Sequence, residues 1–206
     1  DKEGARLAEN DSVTYVVDND RKSQIFHIVD AHFRGEVTNP IELPADRFSY
    51  GDPGMGFHTR STLKIQDGCD NFCTFCIIPH VRGGAMSRPA NDVVDQARRM
   101  IDTGAKEIVI TGVNIGRYDA EGTTFAALTE RILELEGDFR IRISSIEPDS
   151  WGEDFVRLLD HPKLCPHLHL CLQSGSDRIL LAMRRLYTVS DYLSFVDRVR
   201  AAQPDF

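Results

Sequence analysis

At 206 residues, with 41% hydrophobic and 27% charged residues, the chain has the composition of a globular protein with one sizeable core. A net charge of −8 argues against a general nucleic-acid binder, and no apolar run is long enough to span a membrane. The five cysteines, an odd number with no secretory signal visible, argue against a disulfide framework and for a reducing, cytoplasmic setting.

Residues 1–33 read as the tail of an α/β unit. Val13-Thr14-Tyr15-Val16-Val17 has strand character, Asp18-Asn19-Asp20 offers a turn or helix cap, and Lys22 to Ala31 is expected to be helical. Residues 34–60 hold Pro40, Pro44, Pro53, Gly35, Gly51, Gly54 and Gly56 with little periodicity, and read as a linker. A regular alternation begins at residue 61. A strand over 62–66 leads into a cysteine loop, and Pro89 opens a helix that runs to Thr103 and stops at Gly104. Lys106 to Thr111 is a buried strand, and Thr124 to Leu135 an amphipathic helix with Gly137 after it. Arg140 to Ile146 forms the next strand and Trp151 to Leu159 a helix. His167 to Leu172 is a fourth strand and Ser190 to Ala202 a last helix. Strands separated by helices predict an α/β fold with a parallel sheet and right-handed crossovers, whose chemistry sits at the carboxyl ends of the strands.

The fourth strand alternates. His167, His169, Cys171 and Gln173 share one face and Leu168, Leu170 and Leu172 the other. In a curved or barrel sheet the leucines meet the helices and the polar set lines the interior. The bland alternative is a partly solvated strand whose histidines make ordinary hydrogen bonds.

Cys69, Cys73 and Cys76 lie in Gly68-Cys-Asp-Asn-Phe-Cys-Thr-Phe-Cys-Ile-Ile-Pro79, at the carboxyl end of the first strand. Three thiolates from one loop suit an iron–sulfur cube with one iron left open, because cubes used only for electron transfer usually take four. Two other readings remain open: a structural zinc site completed by His80, Cys165 or Cys171, and plain buried thiols.

The C-x3-C-x2-C spacing, with Phe75 before the last cysteine, resembles the signature of radical S-adenosylmethionine enzymes. The longer string from Gly68 to Gly84, with Ser87-Arg88-Pro89, is similar to the tRNA methylthiotransferases of that superfamily. Thr111-Gly112-Val113-Asn114, Ser144-Ser145-Ile146-Glu147-Pro148 and the run from His167 to Asp177 agree. Together they resemble the branch acting on threonylcarbamoyl-adenosine (t6A) more than the isopentenyl-adenosine branch. The resemblance implies a partial TIM-like (β/α) barrel, truncated after about four strands, over residues 61–206, preceded by the remnant of an N-terminal methylthiotransferase domain.

It also implies a [4Fe–4S] cluster on Cys69, Cys73 and Cys76, whose open iron takes the amino and carboxylate groups of S-adenosylmethionine. Phe75, Thr111, Gly112, Asn114, Ser145, Glu147, Gln173 and Ser174 become candidate cofactor contacts, each equally explicable as a strand-end turn, cap or loop anchor. Arg82 and Arg88 become candidates for the cofactor carboxylate or RNA phosphate, against the alternative of surface salt bridges. The implied reaction places a methylthio group on carbon 2 of a modified adenosine beside the anticodon. It uses a tRNA substrate, an electron donor such as a flavodoxin or ferredoxin, and a sulfur source that the resemblance leaves unnamed. The family's second cluster, on three further cysteines, is expected only in a longer parent, so this chain alone is not expected to complete the reaction. Cys165 and Cys171 match no ligand of the pattern and read as packing residues. A radical enzyme with a different RNA or protein substrate, and a non-catalytic zinc module, are the competing functions.

Overall fold

The computed structural model describes residues 2–49, 60–149 and 151–206. The chain divides into two compact units, Asp1–Gly51 and Asp52–Phe206.

The first unit holds α1 (Lys2–Ala8), a 3-10 turn at Lys22–Gln24, α2 (Ile25–Phe33) and a second 3-10 turn at Pro40–Glu42. Val13 to Val17 forms no strand, and the chain bends at Thr14, which corrects the sequence expectation. A strand needs a paired ladder, and among the described residues none runs beside it. Tyr15 instead sets its ring edge-on to His32 of α2, with Oη 3.3 Å from Nδ1. The first half of the expected linker is tied to this unit. Arg21 Nε donates to the Leu43 carbonyl at 3.0 Å, Ser23 Oγ donates to the Asp46 carbonyl at 3.0 Å, and Arg47 pairs with Asp20. Gly51, Pro53, Gly54 and Gly56 lie outside the described residues.

The second unit runs β1 (Ser61–Lys64), β2 (Gln66–Asp67), α3 (Ile78–Arg82), β3 (Met86–Ser87), α4 (Ala90–Asp102) and β4 (Glu107–Thr111). It continues through the hairpin of β5 (Asp119–Ala120) and β6 (Thr123–Thr124), then α5 (Phe125–Leu133), β7 (Arg140–Ile143), β8 (Ser145–Ile146) and α6 (Glu153–Leu158). Last come β9 (His169–Leu170), α7 (Asp177–Ala182) and α8 (Val189–Ala202). Parallel strands pair in the order β1-β4-β7, with Leu63 opposite Ile110 and Ile110 opposite Ile143. After Ser144 the chain leaves β4 and pairs as β8 with β9, Ser145 opposite His169. The segment leading into β9 also flanks β7, with Ile141 beside Leu164, so the parallel order extends to a fourth strand, as a partial barrel requires.

The fourth strand is paired as a ladder only at His169–Leu170, within the expected 167–172, and Pro166 separates it from an upstream pairing at Leu164. Lys163 to Cys165 run beside Ile141, with the Ile141 N–H donating to the Lys163 carbonyl at 2.7 Å and the Cys165 N–H to the Ile141 carbonyl at 2.8 Å. Proline has no N–H to give the ladder, so pairing resumes only at His169. Leu168 and Leu170 pack on the core, while His167, His169 and Gln173 are exposed on the opposite face.

The helices form where one face can be buried. In α4, entered from Pro89, Val93, Val94, Ala97 and Met100 recur at helical spacing and join the core that holds Leu63 of β1 and Leu128 of α5. Thr124 caps α5 by accepting from the Ala127 N–H, and Leu128 and Ile132 are fully buried. Thr188 and Asp191 form a reciprocal capping box on α8. Phe125, Trp151, Phe155 and Phe195 join α5, α6 and α8 in one aromatic cluster, with the Trp151 and Phe155 ring centroids 4.2 Å apart. Each such side chain, fully buried, contributes about 1.5–3 kcal/mol.

At the amino end of β4 the buried Glu107 carboxylate receives Arg142 Nε at 2.6 Å, Arg60 Nε at 2.8 Å and Arg140 Nη2 at 3.3 Å. The Arg142 hydrogen bond outweighs burial and holds its pKa below the usual carboxylate value. The folded state therefore gives up this carboxylate's charge at lower pH than the unfolded chain does. Its contribution is present above the ordinary carboxylate range and is lost as the pH falls through the depressed value. Glu107→Gln is expected to cost roughly 1–3 kcal/mol at neutral pH. It is also expected to flatten the acid limb of a Tm-against-pH curve; an unchanged acid limb would contradict the assignment.

Candidate functional site

The cysteine loop starts at β2. Gln66 is fully buried, and its Oε1 accepts the backbone N–H groups of Val113 and Asn114 at 2.9 and 2.8 Å. Its Nε2 donates to the carbonyls of Asp67 and Gly68 at 3.0 and 2.8 Å. One amide thus stitches the start of the loop to the end of β4. The buried Asp67 carboxylate is paired, as a buried charge must be, with Lys64 at 2.8 Å and Arg82 at 3.1 Å.

Gly68 then turns with φ +71°, and a Cβ there would fall 1.9 Å from the Gly84 carbonyl oxygen. The returning segment is held close: the Cys69 N–H donates to the Gly83 carbonyl at 3.2 Å, and Asp70 accepts the Ala85 N–H at 3.2 Å. Phe72 carries φ +46°, a rare conformation for an aromatic residue, which costs about 1–3 kcal/mol and aims the following Cys73 inward. Cys73 is 8% exposed, whereas Cys69 and Cys76 are half-buried. A Cys76 N–H to Cys73 carbonyl bond of 3.0 Å closes the turn before α3. The loop's far side is anchored by Thr74, whose N–H and hydroxyl donate to the carbonyls of Met183 and Ala182, just past α7, at 3.1 and 3.2 Å.

Around the loop lies a charged network. Asn71 Nδ2 donates to Glu147 Oε2 at 2.9 Å, and Glu147 Oε1 pairs with Arg185 Nη2 at 2.7 Å. Arg185 Nη1 donates to Cys73 Sγ at 3.2 Å. Burial pushes the Glu147 pKa up, with Arg185 pulling against it. Burial also raises the Cys69 thiol, opposed by the Asn71 backbone and the Asn114 amide.

Of the sequence candidates, Thr111 is the last residue of β4, its carbonyl accepting the Ile65 N–H at 2.9 Å, and Gly112 and Asn114 lie just beyond it against Gln66. A side chain at Gly112 would meet Gln66 Cβ at 3.0 Å and Ile115 at 2.7 Å, so only glycine fits. Glu147 reaches the loop through Asn71. Ser145 Oγ lies 2.7 Å from His169 Nδ1 on the open face of β8 and β9. Gln173, at φ +64°, and Ser174, whose Oγ accepts the Ser176 N–H at 3.2 Å, belong to the turn into α7. Phe75 is 57% exposed. Arg82 and Arg88 are held internally, by Asp67 and Gln96 respectively. His80 is exposed and meets Phe72 edge-on at 5.8 Å.

Three observations bear on whether these residues suit an open-site cluster. The donor set is three thiols, the soft ligands such clusters take. Asn114, 5% exposed, has an Nδ2 that makes no aligned hydrogen bond, and its amide lies by the Cys69 thiol, where it favours the thiolate. The N–H groups on Arg185 Nη2 likewise make no aligned hydrogen bond, despite the ion pair. The residues fit the group. Among the described residues no three His, Cys, Asp or Glu side chains are gathered tightly enough for a single metal ion. A cube differs in placing each thiolate at a separate corner.

Sequence reasoning missed Asn71, a loop residue that the fold joins to Glu147 76 residues further along the chain, and Arg185, which it brings to Cys73 from 112 residues away. Nothing local in Arg184-Arg185 separates it from a surface charge pair.

A profile of the radical SAM superfamily matches residues 63–205. Threonylcarbamoyladenosine tRNA methylthiotransferase MtaB of Thermotoga maritima is 44% identical over 151 residues, covering 72% of this chain and 35% of that protein. The tRNA-2-methylthio-N(6)-dimethylallyladenosine synthase of Paracoccus denitrificans is 42% identical over 191 residues, covering 88% of this chain and 43% of that protein. The chain thus spans less than half the length of either relative. Among solved structures, the radical S-adenosylmethionine methyltransferase TsrM of Kitasatospora setae superposes with a TM-score of 0.59 at 18% identity, over 69% of this chain and 28% of that one. At that identity the likeness concerns the fold alone.

Proposed function

This chain belongs to the radical SAM superfamily, and from that premise we propose that residues 61–206 are the incomplete core of a tRNA methylthiotransferase. The second unit has the parallel α/β partial barrel of that superfamily. The observation that carries the reading is a three-thiol loop clamped at both ends, with the buried Asn114 amide beside Cys69. Cys69, Cys73 and Cys76 would hold a [4Fe–4S] cluster and leave one iron to S-adenosylmethionine. When bound, the cluster supplies the electron that cleaves the cofactor. Asn114 would turn its amide N–H toward the Cys69 sulfur or a cofactor acceptor, and Glu147 would take a cationic amino group. Thr111 and Gly112 let the ligand approach the backbone, and Phe75 offers an aromatic face to the adenine. Ser145, Gln173 and Ser174 fall to the cofactor's periphery.

The substrate we assign is t6A beside the anticodon, as the name of the Thermotoga relative suggests. We assign residues 1–33 to the tail of an N-terminal methylthiotransferase domain and the site of action to the cytoplasm. A flavodoxin- or ferredoxin-type donor would supply electrons. The exposed Phe26, Val29 and Phe33 of α2 support a place for that segment within a larger apolar assembly.

The reconstituted chain, given dithionite and S-adenosylmethionine, is expected to release 5′-deoxyadenosine and methionine but no methylthiolated RNA. No cleavage by a chain carrying its full iron would refute the core assignment, and methylthiolated RNA from this chain alone would refute the domain assignment. Deleting the gene in the source organism is expected to remove the methylthio form of t6A. Loss of the methylthio isopentenyl nucleoside instead would move the protein to the other branch.

A further inference from the structure

Arg185 is the one side chain that touches the middle cysteine of the loop and the strand-end carboxylate together among the described residues. Its Nη1 donates to Cys73 Sγ at 3.2 Å, its Nη2 pairs with Glu147 Oε1 at 2.7 Å, and its Nε donates to Tyr187 Oη at 3.1 Å. The guanidinium also lies over the Tyr187 ring, 5.0 Å from the centroid. Tyr187 is fixed in turn by its hydroxyl bonds to the carbonyls of Cys171 and Leu172, at the end of the fourth strand. The preceding Arg184 takes φ +56°, which reverses the chain after α7 and turns Arg185 inward; its side chain is 5% exposed.

We propose that Arg185 is a positioning residue for the cysteine loop: its fixed guanidinium holds the Cys73 sulfur in place and eases entry of an electron into a cluster bound there. The proposal rests on the cluster reading above. Hydrogen bonds and charge beside the ligating sulfurs are among the factors that set a cluster's potential. On reduction one electron enters from the titrant, no bond forms or breaks, and the site becomes more negative by one charge. A cation held against a ligating sulfur favours that state. The guanidinium suits the task because its planar fork serves Cys73, Glu147 and Tyr187 at once, which a lysine ammonium on a flexible stem does not reproduce. A plain internal salt bridge between Arg185 and Glu147 would need neither the contact to Cys73 nor the unused hydrogen-bonding capacity at Nη2.

The test is a redox titration of the anaerobically reconstituted whole chain, followed by electron paramagnetic resonance without S-adenosylmethionine, beside iron content and Tm. Arg185→Gln removes the charge and leaves Glu147 unpaired. It is expected to lower the reduction equilibrium constant tenfold or more, about 59 mV for a one-electron couple. Arg185→Lys keeps a charge without the fork and is expected to shift the potential the same way by less. A Gln variant that loses Tm but keeps both the wild-type potential and the wild-type iron would reduce Arg185 to a structural salt bridge and overturn the proposal. Should the Gln variant fail to fold, Arg185→Lys decides: a downward shift of threefold or more supports the role, and an unmoved potential overturns it. A wild-type chain that takes up no iron–sulfur cluster sinks the cluster reading itself, a result distinct from either of these.

Discussion

Cys73→Ala is expected to take the reconstituted chain from about four irons to less than about one, and to abolish cofactor cleavage. Cys73 is the most buried of the three loop thiols, sits after the strained Phe72, and is the one that Arg185 contacts. An alanine there leaves two thiols to hold four irons, and no other cysteine side chain is within the loop to replace it. Cys165→Ala is the control. Cys165 is 2% exposed among core residues, where burial raises its thiol pKa, and its backbone rather than its sulfur pairs with Ile141. That variant should lose about 1–2 kcal/mol of stability from the smaller side chain and keep its iron. Equal iron loss from both variants, measured per folded chain, would contradict the assignment of ligands.

Gly68→Ala is expected to have the second largest effect, although it removes no ligand. Two penalties act together. The backbone stands at φ +71°, and the new methyl would sit 1.9 Å from the Gly84 carbonyl oxygen and 2.7 Å from that of Gly83. The obstructing atoms are backbone, so relief means opening the approach of residues 83–84 that the Cys69 N–H to Gly83 bond maintains. Roughly 2–4 kcal/mol of destabilisation follows, with a fall in Tm of about 5–15 °C. Iron uptake should fall more steeply than stability, because the displaced backbone at Gly83 is what the Cys69 N–H is bonded to. A Gly68→Ala chain with wild-type Tm and iron content would show that this turn does not set the loop.

The parts of the fold that were legible in the sequence are those decided by local pattern. Pro89 before Val93, Val94, Ala97 and Met100 marked α4, and the β-branched run ending at Thr111 marked β4, because spacing and burial speak with one voice there. Val13 to Val17 misled, since strand propensity counts only when a partner strand lies alongside. The break at Pro166 was written in the sequence but needed the ladder to give it meaning. Helix α7 also had a signal: Ser176-Asp177 ahead of Ile179, Leu180 and Leu181 is a cap before an apolar turn. The loop cysteines were legible from spacing, and Asn114 and Glu147 from their strand-end positions. The clasp that ties them together was not. Asn71 to Glu147 and Arg185 to Cys73 are contacts between distant segments, and only the parallel arrangement of the strands brings those segments together.

The most direct test of an open-site cluster is iron, sulfide and zinc analysis of the anaerobically reconstituted chain, joined to its electron paramagnetic resonance spectrum with and without S-adenosylmethionine. The account predicts about four irons and four sulfides per chain and a spectrum that changes when the cofactor is added, since one iron lacks a thiolate. About one zinc per chain, no sulfide and a silent response to the cofactor would make the loop a structural metal site and contradict the enzymatic reading.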